Sequence, residues 1–124
     1  MSTIKGCRHA VLGTSDVARA REFYLEKIGL PLLEEIPAAN LFACGIGGFR
    51  LSVFGGYEAA PPKGDRTAGM NLVFEVDDIE QALAELSARG VTFDGGIHEA
   101  PGFCRFIVTF DPDDNPVEFA QYLR

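Results

Sequence analysis

Cationic side chains are scarce in this chain of 124 residues: 11 Lys and Arg stand against 18 Asp and Glu, a formal net charge of −7. Such a balance repels phosphate backbones and anionic lipid, so nucleic acid and membrane are excluded as main partners. Cysteine is sparse and odd in number. Cys7, Cys44 and Cys104 are widely spaced and form no CxxC, which speaks against a disulfide framework and a structural zinc site. This usage fits a reducing, cytoplasmic setting. Long apolar runs are missing too. The most apolar stretch, Leu41 to Phe54, is broken by glycines and holds Arg50, so it reads as no membrane span. Met1 to Lys5 lead into no apolar run of signal-peptide length.

What remains is ordinary globular material, with 47% hydrophobic residues and a mean hydropathy of +0.08. A chain of this size buries roughly two-thirds of its unfolded surface on folding. It needs neither cross-link nor structural metal.

Ile4 to Leu12 reads as a strand. Thr14, Ser15 and Asp16 are N-cap types, and Val17, Ala20, Phe23, Tyr24 and Ile28 follow at the spacing of one helical face. Gly29 stands where a helix-ending glycine belongs, and Pro31 forbids continuation. Strands are expected over Leu32–Ile36, Leu41–Ile46 and Phe49–Phe54, with Gly47-Gly48 as a hairpin turn. Gly55 to Gly69 is rich in Gly, Pro and charge, and reads as a linker. Beyond it, Asn71–Val76 is a strand, and Asp77 with Glu80 suggests a capping box. Ile79, Ala82, Leu83 and Leu86 make a helical stripe that ends at Gly90. Val91–Phe93, Cys104–Phe110 and Pro116–Tyr122 are the remaining strands. Asp111-Pro112-Asp113-Asp114-Asn115 is a tight turn before the last of them.

The second half repeats the first. Asp16-Val17 aligns with Asp78-Ile79 at an offset of 62, which sets His9 opposite Asn71, while Gly29 falls one step from Gly90. The expectation is module 1 over about 1–56, a linker over about 57–68, and module 2 over about 69–124, all within one domain. The fold class is α+β: two βαβββ modules forming a cupped mixed sheet, with helices on the convex face.

Period 2 sorts the strand residues into faces. Leu72, Phe74, Val76, Val117 and Phe119 belong under a helix. Cys7, His9, Val11, Arg50, Ser52, Phe54, Asn71, Val73, Glu75 and Glu118 then share the opposite, mixed face, which suggests a ligand-lined surface.

The residues His9, Ser15-Asp16-Val17 through Phe23-Tyr24, Gly29-Leu30, Val76-Asp77-Asp78, and Asp111-Pro112-Asp113 leading to Glu118 give the chain a pattern that resembles the vicinal oxygen chelate superfamily. That superfamily holds glyoxalase I, bleomycin-resistance proteins and extradiol dioxygenases. The resemblance covers nearly the whole chain. It implies paired βαβββ modules around a half-open cup, and homodimers. It also implies ligand positions for a divalent metal at His9, Ser52, Asn71 and Glu118. His9 and Glu118 match the family's metal-ligand types. Ser52 and Asn71 depart from them, because hydroxyl and amide oxygens are weak ligands for transition metals.

Two functions compete. In one, the cup binds or sequesters a small, partly aromatic or antibiotic-like molecule without cofactor. In the other, one divalent metal ion held by His9 and Glu118 serves a lyase, isomerase or dioxygenase as a Lewis acid. A third possibility is a metal-free enzyme with Glu118 as catalytic base. The candidate ligand-binding set is His9, Arg50, Ser52, Phe54, Asn71, Arg105 and Glu118. Each has a plainer reading. His9 is often a hydrogen-bonded strand residue. Arg50 and Arg105 either reach the cup, where they would hold an anion, or pair with acids on its rim. Arg105 is assigned to the cup because Phe106, Val108 and Phe110 look like the helix-packed face of their strand. Cys7 reads as a small buried hydrophobe, and His98-Glu99 as a solvated loop that could act as a lid.

Overall fold

In the computed structural model, residues 3–61, 64–67 and 69–123 are described. The chain divides into two compact units, Met1–Ala59 and Ala60–Arg124.

In the first unit, β1 (Ala10–Gly13) leads into α1 (Val17–Arg21), whose wide final turns cover Glu22–Lys27. Then come β2 (Leu32–Ile36), a 3₁₀ turn at Pro37–Ala39, β3 (Leu41–Cys44) and β4 (Leu51–Phe54). The four strands lie in the order β1-β4-β3-β2. β1 runs parallel to β4, and the other pairs are antiparallel. The second unit has the same plan. β5 (Leu72–Glu75), α2 (Ile79–Ala88), β6 (His98–Ala100), β7 (Cys104–Phe110) and β8 (Pro116–Tyr122) give a sheet ordered β5-β8-β7-β6. Its one parallel pair is again first strand with last, β5 with β8. Each unit is thus a βαβββ module with an open mixed sheet. Among the described residues no helix is long and apolar enough to cross a membrane.

Equivalent caps start the two helices. Asp16 accepts a hydrogen bond from the Arg19 amide, and Asp78 accepts one from the Gln81 amide. The second cap is therefore Asp78 with Gln81 rather than Asp77 with Glu80. Gly29 and Gly90 end the helices at φ of 88° and 92°, where a side chain would be strained. Thirteen steps separate Asp16 from Gly29, and twelve separate Asp78 from Gly90. The π-helical Glu22–Lys27 segment absorbs the extra residue by widening the turn. This accounts for the single-step slip in the repeat.

Each sheet packs one face on its helix. In the first unit, Arg21 of α1 lies over the Phe42 ring at 5.5 Å and bonds Glu35, which sets the helix side. Phe42 and Val53 are fully buried there. In the second, Ile79 donates its amide to the Gln121 side chain at 2.9 Å. Gln121 shares its parity with Val117 and Phe119, and the Phe119 ring contacts Phe74 and Phe93.

Three sequence expectations change. Residues 4–9 are not in a strand, and β1 begins at Ala10. Residues 91–93 carry no strand; the Thr92 carbonyl instead accepts the Thr109 hydroxyl at 2.7 Å. The missing strand is β6, at His98–Ala100, where a loop was expected.

Candidate functional site

The face of each sheet turned away from its helix carries the polar candidates. In the first unit, β1 and β4 set Val11 beside Ser52, and β3 sets Ala43 on its other side. The Ser52 side chain is fully buried beneath its neighbours. His9 Nδ1 lies 2.6 Å from Ser52 Oγ. Arg50 Nε donates weakly to the same oxygen at 3.4 Å, and Arg50 Nη2 donates to Glu34 at 2.6 Å. The serine hydroxyl therefore orients the imidazole and leaves Nε2 as its outward nitrogen. Arg50 is an ion-pair partner of Glu34, with its charge already matched. Phe54 lies two residues on from Ser52 and half-buried, opposite Gly13 and Leu41. Cys7 is exposed, unlike the buried residue expected.

In the second unit, β8 places Glu118 between Val73 of β5 and Val108 of β7. Neighbouring apolar groups remove water from its carboxyl, and burial raises its pKa above the ordinary value, an effect the nearby charge of His98 opposes. Asn71 is exposed just before β5.

Arg105 is placed elsewhere than expected. It sits opposite Gln121 on the helix side of the sheet and bonds Glu80 of α2 at 2.5 Å. The parity of β7 is the reverse of the one the sequence suggested. Ile107 is buried on the helix side, Thr109 bonds the Thr92 carbonyl there, and Phe106, Val108 and Phe110 share the Glu118 face.

This reversal builds a hollow of about 240 Å³ on the Glu118 face, lined by Thr67, Asp94, Gly95, His98, Phe106 and Val108. His98 of β6 stacks on Phe106, with ring centroids 5.3 Å apart and planes 28° apart. Its Nε2 lies 3.0 Å from the Asp94 carbonyl oxygen. A carbonyl only accepts, so Nε2 carries the proton of that bond. The sequence pattern puts His98 in a solvated, lid-like loop, whereas it lies in strand β6. Its signal was the two-residue step to Ala100, which puts it on a strand face once β6 is recognised. The turn carrying Thr67 is fastened by Arg66, which donates to the Asp114 carboxylate and lies 3.7 Å over the Phe110 ring.

The chain matches the Glyoxalase/Bleomycin resistance protein/Dioxygenase superfamily over residues 6–119. It belongs to that superfamily. Solved structures give the same fold. TnmS3, an antibiotic binding protein from Streptomyces sp. CB03234, superposes with a TM-score of 0.78 at 24% identity, over 98% of this chain and 99% of its own. A glyoxalase/dioxygenase from Nostoc punctiforme gives 0.76 at 21% identity, over 98% and 94%. A lactoylglutathione lyase from Agrobacterium tumefaciens gives 0.72 at 18% identity, over 97% and 96%. No curated protein matches the sequence.

A divalent metal is common in the superfamily, so the donor set needs testing against one. Among the described residues no group of three or more His, Cys, Asp or Glu side chains is placed to hold an ion. Ser52, at one of the expected ligand positions, is bonded to the very histidine it would accompany. Among the described residues of either unit, the side chains present assemble no such donor set.

Proposed function

We propose that this superfamily member binds a small, partly aromatic molecule without a metal, on the Glu118 face of its second sheet. The observation that carries this reading is the apolar hollow beside a half-buried carboxylate. A strand that turns Phe106, Val108 and Phe110 away from the helix, while Arg105 and Thr109 face it, gives the hollow an apolar wall of Phe106 and Val108. The fold shared with an antibiotic binding protein is in keeping with it. Glu118 is then the polar anchor with Asn71 as a secondary contact of the same unit, while His9, Arg50, Ser52 and Phe54 form a separate polar face in the first unit. We place the chain in the cytoplasm, where its three free thiols stay reduced. We take it to act as a homodimer, because the edge strand β2 leaves Leu32, Leu33 and Ile36 exposed.

Elemental analysis of the purified protein, combined with thermal melts against a panel of aromatic antibiotics and Ni, Zn, Mn and Fe(II), tests the reading. Stabilisation by an aromatic compound in metal-free protein is expected. Stoichiometric metal that disappears in both His9→Ala and Glu118→Gln would overturn it in favour of a metalloenzyme.

A further inference from the structure

The hollow specifies more than an aromatic ligand. We propose that it seats one ring system carrying hydrogen-bond donors, such as an arylmethylamine or a phenol, and that it rejects anionic rings. This selectivity rests on the small-molecule binding function just proposed for the same face.

The volume sets the size. A dry cavity of about 150 Å³ holds benzene, so a hollow of about 240 Å³ accepts a substituted ring or two fused rings. The flat wall is the stacked pair of His98 and Phe106, with Val108 closing the side.

The polar atoms set the chemistry. Asp94 is one of the lining residues, and Glu118 stands next to Val108 on the same face. The Thr67 hydroxyl donates to Asp65 at 2.7 Å, so it offers a ligand lone pairs rather than a proton. The proton on His98 Nε2 is engaged by the Asp94 carbonyl, so only Nδ1 of that ring is left to meet a ligand. None of the described residues lining the hollow is a lysine or an arginine. Arg66, next in sequence to Thr67, is already bonded to Asp114 above Phe110. Arg105 is on the other side of the sheet with Glu80. Acceptors therefore surround the seat, and a ligand must bring the donors. Two acids, Asp94 and Glu118, stand against Arg66, which Asp114 already holds, so a further anion is unwelcome.

The test uses three naphthalenes of matched size on the full chain, with amide chemical shifts read in NMR titrations. The probes are 2-(aminomethyl)naphthalene, 2-naphthol and 2-naphthoate. The amine and the naphthol are expected to shift amides of 94–98 and 106–108, with the naphthoate bound more than about tenfold more weakly. His98→Ala, at an exposed position that the fold tolerates, should weaken the amine and the naphthol by about three- to tenfold, the worth of one ring contact. Asp94→Asn should narrow the gap between amine and naphthoate. Naphthoate binding as well as the amine would overturn the proposal, as would unchanged discrimination in Asp94→Asn. Shifts confined to the His9–Ser52 region would overturn this seat while leaving the small-molecule reading standing. No shift from any probe would also overturn the seat. The broader reading falls only if the antibiotic panel fails as well.

Discussion

Removing one carboxylate should loosen the turn from which the Glu118 strand starts. Asp111 is buried, and its Oδ1 accepts from the amides of Asp113 at 2.9 Å and Asn115 at 2.8 Å. The Asn115 side-chain amide reaches both of its oxygens, at 3.2 Å and 3.0 Å. The backbone closes the same loop, with the Asp111 amide donating to the Asn115 carbonyl at 2.9 Å. A hydrogen bond to a charged group contributes roughly 1.5–3 kcal/mol. Residues 112–115 are partly open to water, which can replace some of what is lost. Asp111→Ala should therefore destabilise the protein by about 2–4 kcal/mol, a large share of the roughly 5–15 kcal/mol that holds such a domain together. Asp111→Asn keeps Oδ1 as acceptor for both amides and should cost only about 1 kcal/mol. Urea unfolding followed by circular dichroism reads both variants. An alanine variant within about 0.5 kcal/mol of the parent, the range of ordinary surface changes, would refute the account. Equal losses in the two variants would show that charge, not acceptor geometry, secures the turn.

Other outcomes rest on the same contacts. Burial raises the Glu118 pKa above 4.5, so just above that pH the folded chain keeps a proton that the unfolded chain has released. Its contribution to stability then falls as pH rises through the raised value and stays low beyond it. Glu118→Gln should melt at a higher temperature than the parent at pH 7.5 and at the same temperature near pH 4; a lower melting point at pH 7.5 refutes this. Burial lifts the Cys44 thiol to about 11, and Cys104 is also buried while Cys7 is exposed. Iodoacetamide at pH 8 should thus label the native chain at Cys7 alone, as read by peptide mass mapping. Deleting Glu26, an exposed residue of the wide turn, should leave a folded protein whose first helix matches the length of the second; loss of the cooperative melt would show that the turn does more than hold an extra residue.

Repetition made the architecture readable from sequence. Two capping aspartates 62 residues apart, each followed by an apolar stripe and a glycine, locate both helices. The alternation around Glu118 put Val117 and Phe119 on the helix side, where they lie. Reading failed on β7. Cys-Arg-Phe-Ile-Val-Thr-Phe offers a plausible helix-facing set in either parity, and the more apolar set was the wrong one. Arg105 can face the helix because Glu80 meets its charge, and Thr109 because the Thr92 carbonyl takes its hydroxyl. The fuller apolar set is left for the opposite face, beside Glu118. His98 was lost for a related reason. Its strand spans only His98–Ala100, between glycines and Pro101. Local composition marks such a stretch as loop, and only the pairing with Phe106 makes it part of a sheet.

Pairing the first strand of each unit with its last has a kinetic meaning. Ala10 meets Leu51, and Leu72 meets Val117, each across more than forty residues. Closing such a loop costs about 3 kcal/mol of chain entropy before any contact rewards it. The neighbouring hairpins, β3 with β4 and β7 with β8, need no such search. Folding of each unit is therefore expected to start from its C-terminal hairpin, as a template for the opening strand. In the second unit the Asp111 turn makes that template, and a weakened turn slows the search as well as lowering the final stability.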